Sequence, residues 1–288
     1  MKVLVFGASG LLGTILCQRL EAAQHEVFRF ERNAKYPCRG EAEIAQAFAL
    51  ALQQAQPECV INLIAATNVD QCEMEMGHAA LLNCFIPKIL RHLCRLHAVS
   101  QLLHISSDQV YSGTGPHSEQ LTLPVNVYGL TKLVGEYAVL QSGGCVLRTN
   151  FFGKSLVPGR SSFSDWLVQA GRSGTTLSVF NDVWISPLGL DSLCRAILHA
   201  IDIRLAGLYN LGSSGPGITK ASFAKHLFLC LGLDEGLLNF VSVDSAKLAA
   251  TRPKDMRMDS SHFVLSAAFT LPSIKQEIEH EAVRYQQV

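Results

Sequence analysis

Ser107, Tyr128 and Lys132 are the residues whose types and spacing point to chemistry. Ser106-Ser107-Asp108-Gln109-Val110-Tyr111 follows Gln101-Leu102-Leu103-His104-Ile105 and reads as the end of a buried strand. Tyr128-Gly129-Leu130-Thr131-Lys132 reads as the start of a helix, where residues four apart share one face. A hydroxyl, a phenol and an ammonium would then converge at the carboxyl edge of a sheet, where open α/β folds bind ligands. Such a trio would present three hydrogen-bond donors, one a titratable phenol and one a cation, to a single bound group.

The elements that must position this trio come earlier in the chain. Residues 2–6 are a continuous apolar strand, Gly7-Ala8-Ser9-Gly10-Leu11-Leu12-Gly13 is a GxxGxxG turn, and residues 14–20 have a helical pattern. The glycines permit a tight turn and close backbone approach, and free N–H groups at the helix start suit the diphosphate of a dinucleotide. Gly7, Ser9, Gly10, Leu11, Leu12 and Gly13 are therefore the expected cofactor loop. The next strand, residues 25–30, runs into Glu31 and Arg32. An acid there bonds the adenosine ribose hydroxyls of NAD, whereas an arginine meets the 2′-phosphate of NADP. Arg32 tips the expectation toward NADP, with dual use open. A third strand around residues 36–39 is poorly marked.

Residues 41–56 form a helix that Pro57 stops. Residues 59–67 are a buried strand whose small-residue end, Ala65, Ala66 and Thr67, leaves room for a cofactor. A polar loop covers residues 68–73, and a long amphipathic helix covers about 78–97 with a kink at Pro87. Strands and helices alternate through residue 150, which argues for an α/β fold with a doubly wound parallel sheet of the Rossmann kind. From Asn150 the texture changes to a Ser/Gly-rich loop, a strand at 177–180, another at 208–212, and a helix around 221–231 capped by Thr219. Residues 1–150 and about 177–212 are assigned to the dinucleotide-binding domain. Residues about 151–176 and 213–288 are assigned to a smaller, interleaved substrate-binding lobe.

Composition excludes several classes of partner. Lys plus Arg and Asp plus Glu both number 24 among 288 residues, which argues against a nucleic-acid or acidic-membrane partner. No apolar run approaches the ~18 residues of a membrane span, and the opening run breaks at Gly7, too soon for a signal segment. The nine cysteines are scattered, odd in number and without a CxxC pair. They read as small buried hydrophobes in a reducing cytoplasm, with no metal site expected.

Taken together, these motifs resemble those of the extended short-chain dehydrogenase/reductases. Within that superfamily the chain most resembles the dTDP-4-dehydrorhamnose reductases. The stretches that carry this are Ile61-Asn62-Leu63-Ile64-Ala65-Ala66-Thr67-Asn68-Val69-Asp70-Gln71-Cys72-Glu73, Pro124-Val125-Asn126-Val127-Tyr128-Gly129-Leu130-Thr131-Lys132, Phe180-Asn181-Asp182 and Arg252-Pro253-Lys254-Asp255-Met256-Arg257.

The resemblance implies reduction of the 4-keto group of a nucleotide-linked deoxysugar by NADPH or NADH. Tyr128 would be the general acid, and Ser107 would orient the carbonyl. Lys132 would hold the nicotinamide ribose and lower the phenol from its usual pKa of ~10. Val69, Asp108, Gln109, Phe151 and Arg257 are the expected substrate contacts, with Arg252, Lys254 and Arg257 offering a basic loop to the substrate diphosphate. Gln109 and Phe151 stand where the rhamnose reductases usually carry Tyr and Trp, which bears on the sugar more than on the reaction. Related dehydratases use an Asp-Glu pair. Here the pair is Asp108-Gln109, and a neutral amide cannot serve as the C5 base. Two alternatives stand beside the reductase. One is a nucleotide-sugar epimerase, which works with the same trio. The other is a non-catalytic NADP-binding regulatory subunit like the methionine adenosyltransferase beta subunit. A homodimer is the expected assembly.

Overall fold

The computed structural model describes residues 1–30 and 40–287. Its centre is a six-stranded parallel sheet in the order Gly207–Leu211, Cys145–Thr149, Gln101–Ser107, Cys59–Asn62, Lys2–Phe6, Glu26–Phe30. The inner strands are apolar on both faces because helices cover both. Val3, Val5, Ile61, Leu103 and Leu147 point to one side, against the helices Leu11–Ala22 and Leu190–Asp202. Leu4, Phe6, Val60, Leu102 and Val146 point to the other, against Glu41–Ala55 and Ile86–Leu96. The two-residue period of a strand sends alternate side chains to opposite cores. The expected doubly wound α/β sheet is present.

From Lys2–Phe6 the chain moves to Glu26–Phe30 on one side and returns to Cys59–Asn62 on the other. That reversal opens a crevice at the carboxyl ends of the strands. The helix Leu11–Ala22 begins there, with Gly10 at its N-cap, no capping side chain and no acid in its first turn. Its first amide groups and positive dipole end therefore face the crevice unneutralised. Gly13 allows the tight approach: a Cβ there would lie 2.2 Å from the carbonyl oxygen of Gly7.

Of residues 68–73, expected as a polar loop, all but Asn68 fall in the helix Val69–Met74. Asn68 caps it by accepting from the Gln71 amide at 3.0 Å, and Asp70 adds an acid to its first turn. The single helix expected over 78–97 is three segments: Met76–Ala80, a π-helical turn Leu81–Phe85, and Ile86–Leu96. Pro87 has no N–H to give the carbonyl of Asn83 four residues back, and the helix widens at that point. The helix Val127–Leu140 packs against this widened turn. Gly135 permits the contact, since a Cβ there would lie 2.1 Å from the Asn83 carbonyl oxygen.

Leu177–Phe180, assigned above to the dinucleotide-binding domain, pairs in parallel with Leu238–Val241. Leu177 and Val179 join Phe152, Phe223, Phe228 and Ile278 in a second core built on the helices Phe163–Ser173, Lys220–Leu231 and Ile274–Gln286. Conversely, Phe263 and Ala267 of the helix Ser261–Ala267 pack into the main core. Thr219 caps Lys220–Leu231 by accepting from the Ser222 amide at 3.1 Å. The strand expected around residues 36–39 lies outside the described residues. No helix among the described residues is long and apolar enough to cross a membrane, and no group of His, Cys, Asp or Glu among them is placed to hold a metal ion.

Candidate active site

The strand Gln101–Ser107 ends at the carboxyl edge of the sheet, and the helix Val127–Leu140 begins beside it. Asn126 caps that helix, its Oδ1 accepting from the Gly129 amide at 2.8 Å. Its Nδ2 donates to Gln109 Oε1 at 3.1 Å and to the Thr251 carbonyl at 2.9 Å. Glu73 Oε2 accepts from the Val127 amide at 3.0 Å. Three other segments thus fix the helix start, and with it the position of Tyr128.

Ser107, Tyr128 and Lys132 are 5%, 9% and 2% exposed and line one cavity of about 580 Å³. The Ser107 hydroxyl faces the Tyr128 phenol closely enough to favour its ionised form. Ser107 Oγ also accepts from the Gln109 amide at 3.2 Å and donates to Asp108 Oδ1 at 3.3 Å. Lys132 Nζ donates to the Ile105 carbonyl at 2.6 Å. Burial pushes the Tyr128 phenol up to about 12, against the opposing effect of Ser107. Burial pulls the Lys132 ammonium down to about 8, with Glu136 opposing. The expected depression of the phenol by Lys132 is therefore not seen. The ammonium is engaged by Ile105, and desolvation sets the sign. Burial also pushes the Asp108 carboxyl up to about 6, against Asn150, Lys220 and Ser107. Asn150 Nδ2 donates to Asp108 Oδ2 at 2.6 Å.

Beneath the trio the strand alternation turns polar. Asn62, His104, Ser106 and Arg148 are all buried. Arg148 Nε and Nη2 donate to Glu136 at 3.0 and 2.6 Å, and Nη1 donates to the Tyr111 hydroxyl at 2.7 Å. Tyr111 in turn donates to Asn210 at 2.7 Å. Glu136 lies one turn past Lys132, so this buried pair anchors the helix of Tyr128 and Lys132 to the sheet. A second anchor is Asn83. Its Oδ1 accepts from the Ala66 amide at 2.9 Å, and its Nδ2 donates to Thr131 Oγ1 at 3.0 Å and to the Ala66 carbonyl at 3.3 Å.

Residues 1–287 match the family described as RmlD substrate binding domain. The chain belongs to this family. It is 30% identical over 288 residues to the dTDP-4-dehydrorhamnose reductase of Salmonella typhimurium strain LT2, with 94% of each chain covered. It is 29% identical to the enzyme of that name from Escherichia coli K12, again with 94% of each covered. Among solved structures it superposes on the dTDP-4-dehydrorhamnose reductase of Bacillus anthracis str. Ames in complex with NADP, with TM-score 0.87, 26% identity, and 99% of this chain and 100% of that one covered.

In this RmlD-family chain, Gly7, Gly10, Leu11, Leu12, Gly13, Ala65 and Thr67 line the same cavity as the trio. Ser9 is exposed on the loop, and Ala66 is held by Asn83 instead. The uncapped helix start and the tight turn that Gly13 permits fit a dinucleotide diphosphate, in the same cavity as the trio. Glu31 and Arg32 lie outside the described residues.

Of the expected substrate contacts, Asp108, Gln109 and Phe151 line the cavity. Val69 packs in the small apolar cluster of Cys72, Ala79 and Tyr128. Arg257 is not among the lining residues. Its Nε and Nη2 donate to Asp255 at 2.9 and 2.6 Å, its Nη2 also donates to the Gly115 carbonyl, and its guanidinium lies 4.7 Å over the Trp184 ring. Arg252 pairs with Asp70, and Lys254 pairs with Asp182 and Asp244. The charges of the basic loop are thus met within the protein. The cavity is instead lined by two further cations, Lys220 and Arg160. Asn83 did carry a signal, as an asparagine inside an apolar helical run four residues before a proline. Lys220 carried none.

Proposed function

We propose that this chain reduces the 4-keto group of a nucleotide-linked deoxysugar with hydride from NADPH or NADH. The observation that carries this reading is the opening of the glycine loop and of Ser107, Tyr128 and Lys132 onto one cavity. The relatives named above, reductases of such sugars, support it. When bound, the reduced nicotinamide supplies the hydride. Ser107 orients the substrate carbonyl through its hydroxyl. Tyr128, kept protonated by burial, gives its proton to the oxygen as charge develops there. Lys132 has N–H donors beyond the one given to Ile105; these hold the nicotinamide ribose and stabilise the phenolate left behind. Gln109 beside Asp108 supports reduction over dehydration, because its amide cannot take a C–H proton. The lobe built on Phe163–Ser173 and Lys220–Leu231 would receive the nucleotide sugar. A homodimer in the cytoplasm belongs to the same proposal.

The test mixes the purified protein with NADPH or NADH and a panel of dTDP-4-keto-6-deoxysugars. Stoichiometric cofactor oxidation with a new hydroxyl at C4 is the expected result. Tight cofactor binding without oxidation across the panel would indicate the regulatory-subunit reading. Inversion of a sugar centre without net cofactor consumption would indicate an epimerase.

A further inference from the structure

Lys220 is the first residue of a helix in the second lobe, yet it lines the cavity that contains Ser107, Tyr128 and Lys132. Its ammonium lies over the faces of Phe163 and Phe180, 5.6 and 5.9 Å from the ring centroids. It forms no ion pair among the described residues. Aromatic faces attract a cation but accept none of its three N–H bonds well. Asp108 lines the same cavity from the other lobe; burial pulls the Lys220 ammonium down and pushes the Asp108 carboxyl up, and each charge opposes that shift in the other. Asp108 Oδ2 takes Asn150 and Oδ1 takes Ser107, which leaves each oxygen a further lone pair.

Donor and acceptor therefore border one space beside the group that orients the carbonyl. A hydroxyl fits them both, its oxygen accepting from Lys220 and its hydrogen donated to Asp108. A phosphate does not, because the Asp108 carboxylate would repel it. In a 4-keto-6-deoxyhexose the carbon next to the carbonyl that bears a hydroxyl is C3. We propose that Lys220 and Asp108 together grip the C3 hydroxyl of the sugar, and that Lys220 sets a preference for sugars hydroxylated there over their 3-deoxy counterparts. This rests on the 4-keto reductase reading above.

The experiment measures kcat/KM with NADPH for dTDP-4-keto-6-deoxyglucose and its 3-deoxy analogue, in the wild type, Lys220→Met and Lys220→Arg. The wild type is expected to prefer the hydroxylated sugar by about 10- to 100-fold, the range for hydrogen bonds to charged groups. Lys220→Met should lose most of that preference through KM for the hydroxylated sugar, with NADPH affinity unchanged. Lys220→Arg, which keeps the cation and the folded state if the Met variant misfolds, should retain part of it. Lys220→Met with the wild-type preference intact, or a wild type with no preference, would overturn the inference. Weakened binding of dTDP alone by Lys220→Met would place the ammonium at the diphosphate and would also overturn it. A wild type that turns over neither sugar, while binding NADPH, overturns the reductase reading itself.

Discussion

Lys132 donates to the carbonyl oxygen of Ile105 across 2.6 Å, joining the helix that carries Tyr128 to the strand that ends in Ser107. The ammonium is buried, and its place is set by backbone rather than by a mobile side chain. Lys132→Met should lower kcat/KM by about 10²- to 10⁴-fold, the range for a positioned proton-transfer group, and should weaken NADPH binding. Lys132→Arg should not restore activity, because a planar guanidinium does not fit a site built for a compact ammonium. Steady-state kinetics with cofactor titration checks both.

The pH profile follows from two groups in the cavity. Burial pushes Asp108 up to about 6 and pulls Lys132 down to about 8, and it pushes Tyr128 up to about 12, which keeps the phenol protonated throughout. On the proposed mechanism, kcat/KM for the sugar should rise through about pH 6 as Asp108 ionises and fall through about pH 8 as Lys132 loses its proton. Asp108→Asn should remove the acid limb and leave the alkaline one. A wild-type profile flat from about pH 5 to 9 would contradict these assignments.

Asp108 also makes a stability prediction whose sign is fixed. Its carboxyl is raised from 3.8 to about 6, so the folded state keeps a proton that the unfolded chain has already lost. That contribution is fully present below about pH 4 and is lost as pH rises through about 6. Asp108→Asn abolishes the dependence. The stability of the variant relative to the wild type should improve between about pH 4 and 7.5, by roughly 1–3 kcal/mol. Thermal melts of both proteins at the two pH values measure it, and a difference of opposite sign would refute it.

Much of this arrangement was legible in the sequence. The apolar strands, the glycine turn and the Tyr-Lys spacing are local patterns, and local patterns survive folding. The trio met as expected because strand and helix periodicities fix where Ser107, Tyr128 and Lys132 point. The misses are long-range. Leu177–Phe180 looks like any buried strand, and its choice of Leu238–Val241 depends on a segment some sixty residues away. Arg257 looked like a free cation because sequence does not show that Asp255, Gly115 and Trp184 close around it. Lys220 carries no signal in the sequence because the aromatic faces beneath it come from two other elements.

The packing of the helix Val127–Leu140 on the π-helical turn gives a prediction about the scaffold. A Cβ at Gly135 would sit 2.1 Å from the Asn83 carbonyl oxygen, a backbone atom with little room to retreat. Gly135→Ala should destabilise the fold by about 1–3 kcal/mol. Asn83→Ala, which strips the Ala66 and Thr131 bonds, should cost about as much and lower activity as well. Denaturant unfolding separates stability from activity in each variant.

In the proposed reaction Tyr128 protonates the sugar carbonyl as it is reduced. The most direct measurement compares cofactor oxidation by the wild type and Tyr128→Phe, with NADPH and a dTDP-4-keto-6-deoxysugar, alongside NADPH affinity for each. Turnover is expected in the wild type, with a loss of about 10²- to 10⁴-fold in the variant and NADPH affinity nearly unchanged. Turnover by Tyr128→Phe equal to that of the wild type would contradict it.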